Sequence, residues 1–401
     1  MKNLFHLAIR NLVRNKKRSY LSVLSVFLGA IIAGLGHGYV NGILDRYVED
    51  YITFQTGHIR ITTPEYLNRE KFFPVDELIT GSDKLMADVK KLPLVKSVEE
   101  RIRFGLLLAK DENTTDAVGL ALDFKQNHFD LKGKLKEGQL KAGLVYPGVK
   151  LAKKLHVQTG DDLLIAARTS QGGLNGIKLK IGGLVEMGVT SFDNRFFFLD
   201  LPSAKRLLRI YNSTTEIYVY QHDHPEVENT EKQIKELTSN TLAVQSYITQ
   251  MGDLYSTLEG ARVIYAVFVI LILFLASFVI VNTMMVAIFE RLKELGTMKA
   301  IGFTDSELFW QLTLEGGIIG IIGGIPGGIV GYLLVILINY VGIDISAMGN
   351  IDMPIQYVIR PAIRMIDLFI IIAMVTIVPV LASMIPARYV NKLTPADALR
   401  K

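Results

Sequence analysis

Val263-Ile-Tyr-Ala-Val-Phe-Val-Ile-Leu-Ile-Leu-Phe-Leu-Ala-Ser-Phe-Val-Ile-Val-Asn-Thr-Met-Met-Val-Ala-Ile-Phe289 runs without one charged side chain. It exceeds the roughly 20 apolar residues that a helix needs to cross a hydrocarbon core. Outward from it in both directions, Tyr20–Asn41, Gly316–Ile343 and Leu368–Ala387 repeat the pattern. These stretches explain why a chain of 401 residues is 50% hydrophobic with a mean hydropathy of +0.31, more apolar than a soluble protein needs to be. The expected fold is a membrane α-helical protein with four transmembrane helices, at 20–41, 263–289, 316–341 and 368–387. A large α+β domain at 42–262 is inserted between helices 1 and 2.

The net charge of +5 does not point to nucleic acid, because of where it sits. Residues 1–19 carry six Lys/Arg and no acid, residues 386–401 carry four against one acid, and residues 42–262 balance 29 basic against 30 acidic side chains. Positive charge beside membrane ends orients a membrane protein. Counts of 6, 3 and 4 Lys/Arg in 1–19, 290–315 and the tail, against two in 342–367, predict a multi-pass protein with cytoplasmic N and C termini. The domain then lies on the far side, with 342–367 as a short loop there and 388–401 as a cytoplasmic tail. The absence of cysteine permits an extracytoplasmic location in a bacterium.

Tyr20–Asn41 is too long for a signal-peptide core and no A-x-A site follows it, so it reads as a retained helix. Ahead of it Leu4, Phe5, Ala8, Leu12 and Val13 share a helical face opposite Arg10, Arg14 and Lys17, which predicts an interfacial amphipathic helix over 1–19. In the insert, helices are expected at Ser82–Lys91, Val149–Leu155, Pro202–Ile210 and Val227–Thr238. Strands are expected at His58–Thr62, Arg101–Ala109, Asp116–Leu122, Asp162–Arg168, Ile177–Glu186, Arg195–Asp200 and Glu216–Gln221. The pattern suggests two interleaved lobes, with Asn41–Tyr51 and Gly252–Arg262 continuing the first two spans as stalks.

Function is narrowed first by what is missing. Spans two to four contain no Asp, Glu, Lys, Arg or His and the first only His37 near its outer end, read as an interfacial residue. Proton and ion coupling require such groups, which disfavours a self-powered transporter. His222-Asp-His224 with Glu226 and Glu228 reads as a solvated acidic turn, so no metal site is expected, and no G-x-S-x-G or H-E-x-x-H motif suggests catalysis. Without a G-x-x-x-x-G-K-[ST] the sequence cannot cradle ATP, so energy is expected from another subunit.

The loop at 290–315 offers that subunit a place. Glu290-Arg-Leu-Lys-Glu-Leu-Gly-Thr-Met-Lys-Ala-Ile-Gly302 reads as a short charged helix stopped by glycine, with Leu292, Leu295 and Met298/Lys299 along one side. A half-apolar helix needs cover, and the loop's net charge of −2 disfavours anionic lipid as that cover. A protein partner is expected there. In the third span, Gly316, Gly320, Gly324 and Gly328 form one four-residue series and Gly323, Gly327 and Gly331 a second, predicting close helix packing. Pro326 and Pro379 are expected to bend their spans.

On Asn282-Thr-Met-Met285, Phe289–Gly302, Glu315 and the closing Pro386-Ala-Arg388 with Leu393–Leu399, the sequence resembles the FtsX/LolE/MacB superfamily of ABC-transporter permeases (type VII). Gly148–His156 and Ile181–Asp193 are similar to its lipoprotein-releasing LolC/LolE branch. The resemblance implies a MacB-like periplasmic domain and a non-catalytic subunit of a bacterial inner membrane. It also implies a coupling helix in which Glu290, Arg291, Glu294, Leu295, Gly296, Met298, Lys299, Ala300 and Gly302 dock an ATPase. Two copies of that ATPase would hold ATP and Mg, with no cofactor on this chain, and a second permease, identical or homologous, would complete the unit. ATP-driven closure would move the domain and lift a lipoprotein from membrane lipid to a periplasmic carrier, by mechanotransmission. The short turn at Thr169–Gly176 departs from the longer hook with which LolC members recruit that carrier. FtsX-like control of a partner such as a cell-wall hydrolase, and MacB-like efflux with a membrane-fusion partner, are the alternatives.

Overall fold

Apolar runs in lipid must satisfy their own backbone, and the helix does so within one segment. The computed structural model, which describes residues 2–125, 128–222, 226–344 and 358–391, contains α1 (Lys2–Arg14), α2 (Lys16–Tyr51), α3 (Asp253–Glu290), α4 (Leu292–Ala300), α5 (Asp305–Val341) and α6 (Met365–Asn391). Four of them, α2, α3, α5 and α6, are long and apolar enough to cross a membrane. At 36 and 38 residues, α2 and α3 outrun the ~30 Å hydrocarbon layer at ~1.5 Å per residue, so their ends leave it. Contacts divide the described residues into two units, one within Met1–Asp45, Thr257–Ile343 and Ile359–Lys401, the other within Arg46–Ser256 and Asp344–Val358.

In the first unit α5 is the hub, and its two glycine series serve two neighbours. Side chains at Gly323 and Gly327 would stand 2.7 and 2.6 Å from the carbonyl oxygens of Val23 and Phe27 on α2. Those at Gly320 and Gly328 would stand 2.9 Å from the Thr376 oxygen and 2.8 Å from Ile372 Cγ1 on α6, while Gly316 abuts Ser383. Only a residue without Cβ lets the backbones approach this closely. Down α2 and α3, Ser22 meets Thr283 at 2.8 Å, Gly29 faces Ala276, and Asp45 Oδ1 lies 2.5 Å from Arg262 Nη2, so the two helices are antiparallel neighbours. His37, expected to stand alone at the interface, contacts Asn41 at 2.9 Å and Asp367 at 3.5 Å.

The second unit is built on β1 (Ile59–Thr62), β2 (Val95–Lys110), β3 (Asn113–Leu122), β4 (Leu144–Pro147), β5 (Asp162–Arg168), β6 (Leu174–Ile181), β7 (Phe196–Asp200), β8 (Glu216–Gln221) and β9 (Ala243–Ser246). They form one sheet in the order β9-β1-β8-β2-β3-β7-β4-β6-β5. Because β5 also pairs with the second half of β2, Leu106 opposite Ala167, the last six strands close into a barrel. Its interior holds Ile102, Phe104, Leu106, Leu163, Ile165 and Phe197. The β5–β6 turn is tighter than the expected Thr169–Gly176, since β6 begins at Leu174.

Three expected features fall wholly or partly outside the described residues: His222-Asp-His224, of which 223 and 224 are not covered, most of the loop 342–367, and the tail from 392.

Candidate coupling site

α4 begins two residues after α3 ends, with Arg291 at the junction, and stops where Gly302 takes φ +107, a conformation that favours glycine. Thr304 then opens α5 through a capping box: its hydroxyl accepts from the Glu307 amide at 3.3 Å, and the Glu307 carboxylate accepts from the Thr304 amide at 2.9 Å. The T-x-x-E pattern in the sequence carries this signal.

The face of α4 expected to need an outside partner is covered from within, which corrects that expectation. Leu295 is 2% exposed, in a cluster with Ile288, Leu308, Leu312 and Ala387, and Met298 packs against it. Gly296 is buried, and Lys299 is held by the Val390 oxygen at 3.0 Å and Asp305 at 2.7 Å. The bare side is instead Lys293, Glu294, Thr297, Ala300, Ile301 and Gly302, with Ile301 72% exposed.

Ion pairs hold the helix in place. Arg14 Nη2 donates to both carboxylate oxygens of Glu294, at 2.7 and 2.6 Å, and Arg18 donates to Glu290. Each partner lies within a turn of a helix break: Arg14 ends α1, Arg18 is in the first turn of α2, Glu290 ends α3 and Glu294 is in the first turn of α4. Beneath them Arg291 contacts Glu294 at 3.3 Å and the buried Glu315 at 3.5 Å, and Asn11 donates to Glu315 at 2.7 Å. The hydrogen bond from Arg14 holds the Glu294 carboxyl below its ordinary range, against a smaller upward push from burial.

α1 divides its apolar face. Leu4 and Ala8 are buried and Leu12 packs on the bundle, whereas Phe5 and Val13 are exposed. The expected single apolar surface is therefore half taken by protein.

A second cluster, absent from the sequence reading, secures the end of α2 in the insert domain. The helix passes into a π-helical turn, Ile52–Thr56. There the Thr53 oxygen accepts from Arg101 Nη1 at 3.0 Å, and the Gln55 oxygen accepts from Tyr218 Oη at 2.6 Å. Arg101 is fully buried, its guanidinium 4.4 Å from the Tyr218 ring centroid and 4.7 Å from that of Phe129. Adjacent, Arg103 and Arg60 pair with Glu216 and Glu70; burial pushes the Glu70 carboxyl up, but the two arginines outweigh it and bring it below its usual range. The chain leaves toward α3 beside this entry: β1 and β9 are antiparallel partners, Ile59 opposite Ser246, and the Tyr247 amide donates to the His58 oxygen at 2.9 Å.

Residues 266–395 match the family profile described as FtsX-like permease C-terminal. The lipoprotein-releasing system transmembrane protein LolC of Xylella fastidiosa is 22% identical over 63% of this chain and 63% of its own length. The ABC transporter permease YtrF of Bacillus subtilis is 32% identical over 43% of this chain and 40% of its own. The macrolide export ATP-binding/permease protein MacB of Neisseria meningitidis is 22% identical over 98% of this chain and 60% of its own. This chain thus spans less than two thirds of each of these relatives. It is a multi-pass membrane protein that carries an FtsX-like permease domain, with LolC, YtrF and MacB among its homologues.

Proposed function

We propose that the chain is the permease subunit of an ABC-type machine in a bacterial inner membrane, with its termini and the α3–α5 loop in the cytoplasm and the insert domain in the periplasm. The observation that carries this reading is α4: one side fixed to the bundle by Leu295 and Lys299, the other a bare tip at Thr297, Ala300, Ile301 and Gly302. A push on a helix so anchored passes into α3 and α5 instead of dissipating in a loop. The sequence has no P-loop, so the push comes from a partner ATPase, which holds ATP and Mg and docks as one copy on each of two permease subunits.

Displacement of α2 against α3 reaches the domain through the adjacent strands β1 and β9 that follow and precede them in the chain, with Arg101 and Tyr218 holding the π-helical turn that follows α2. Work is thereby delivered outside the membrane. The cargo proposed is a lipoprotein extracted from the bilayer and passed to a periplasmic carrier, on the similarity to LolC. A second reading, efflux with a membrane-fusion partner, is favoured by the 98% of this chain that aligns with MacB. Proteoliposomes holding the permease, its ATPase and an acylated protein separate the two. ATP-dependent release of the acylated protein to a soluble carrier supports the first, and ATP-dependent movement of a small amphiphile without such release supports the second.

A further inference from the structure

The outer side of α1 carries an apolar stripe that the bundle leaves bare. Phe5, Ile9 and Val13, four residues apart, are 48%, 39% and 57% exposed. Exposed Arg10 and Arg14 border the stripe, Lys16, Lys17 and Arg18 continue it, and residues 1–19 hold no acid. Only Asn15 separates α1 from the membrane-spanning α2, so the bilayer around the end of α2 also meets α1. An apolar stripe with a basic border, continuous with a span, fits a lipid surface, and its charge selects anionic headgroups.

The same basic border supplies the partners of the coupling loop. Arg14 and Glu294 are about half exposed, at 50% and 48%, and Arg18 and Glu290 are 32% and 53% exposed. Water weakens ion pairs this open, and the attraction of one arginine to an anionic membrane surface is of the same size. The surface that attracts the arginines also repels Glu290 and Glu294.

We propose that anionic phospholipid headgroups bind Arg14 and Arg18 in competition with Glu294 and Glu290, so that membrane composition sets how firmly α4 is held to α1. The consequence for coupling rests on the role proposed for α4, but the test needs no ATPase, so the two fail separately.

The chain has no cysteine, so His6→Cys with Thr297→Cys gives two unique spin-label sites on the exposed sides of α1 and α4. In nanodiscs of phosphatidylcholine the interlabel distance should form one narrow population. In phosphatidylglycerol-rich discs a second population should appear, longer by about one helical turn, ~5 Å. Arg14→Gln with Arg18→Gln should make the distribution the same in both lipids, while Arg14→Lys with Arg18→Lys, which keeps the charge, should retain the response. Inorganic phosphate added to phosphatidylcholine discs should leave the single population unchanged. Identical wild-type distributions in the two lipids would overturn the proposal, as would a lipid response that survives the glutamine variants or is reproduced by free phosphate.

Discussion

Arg14 and Glu294, 280 positions apart in sequence, meet through one guanidinium nitrogen shared between both carboxylate oxygens. With Arg18 and Glu290 one turn along, they fasten the α1/α2 break to the α3/α4 break. The loop proposed to receive the ATPase is thus tied to the start of the chain as well as to its own helices.

Reversing one charge of this pair should loosen α4. Glu294→Arg or Arg14→Glu alone should each lower coupled ATPase activity, and the double exchange should recover most of it. The pairwise energy from a double-mutant cycle of unfolding should stay at about 0.5–1 kcal/mol, because both side chains are half exposed. Glu294 has a carboxyl depressed by Arg14, so its contribution is complete above the unfolded carboxylate value of ~4.3 and fades as pH falls through the lower folded value. A label distance between α1 and α4 that lengthens only under acid conditions would show this.

Side chains cannot be added where α5 touches its neighbours. Gly327→Leu and Gly320→Leu drive carbon into the Phe27 and Thr376 carbonyls and should destabilise the bundle by about 2 kcal/mol or more. Gly317→Ala, whose new methyl meets Val380 at 3.4 Å, should cost far less. Unfolding of the three variants in mixed micelles by a steric-trap or detergent titration ranks them.

Arg101 should matter out of proportion to its distance from the loop. Arg101→Met removes a fully buried cation from its pair with Glu99, which keeps only its bonds from His128, and from the Thr53 oxygen, a loss of about 3 kcal/mol. Tyr218→Phe, which removes only the bond to Gln55, should lose about 1 kcal/mol. Thermal unfolding of the full-length chain followed by near-ultraviolet circular dichroism distinguishes the two. If the joint transmits movement, Tyr218→Phe should reduce cargo release more than it reduces ATP hydrolysis.

Asp193 gives the insert domain a pH dependence of the opposite sign. Burial pushes its carboxyl up to about 6, although the Met187 amide donates to it at 2.7 Å. The folded state then holds a proton between pH ~4 and ~6 that the unfolded chain releases, so stability falls as pH rises through that window and levels off above it, by roughly 1–3 kcal/mol. Asp193→Asn should flatten that part of the profile in denaturant titrations.

The membrane half of this architecture is readable from sequence because lipid permits so few solutions: a charge-free run of Val263–Phe289 has to be a helix. The glycine series announced close packing, but not that Gly323 and Gly327 turn to α2 while Gly320 and Gly328 turn to α6. Local spacing sets which residues share a face, and the partner of that face lies elsewhere in the chain. For the same reason Leu295 looked like a docking residue, when Leu308 and Leu312 already cover it. The sequence places Arg101 and Arg103 in a strand without saying what they face, and only the assembled sheet, with Glu216 and Tyr218 on the strand alongside, reveals that they are buried. Barrel closure by β2 and β5 was equally hidden, since a period of two says nothing about which strand is the neighbour.

The sharpest test is photocrosslinking from α4 in intact membranes. Benzoylphenylalanine at Thr297, Ala300 or Ile301 should capture a protein that contains a G-x-x-x-x-G-K-[ST] loop, while the same probe at Leu295, sealed inside the bundle, should capture none. Absence of any nucleotide-binding protein from the three exposed positions, or equal capture from Leu295, would contradict the account.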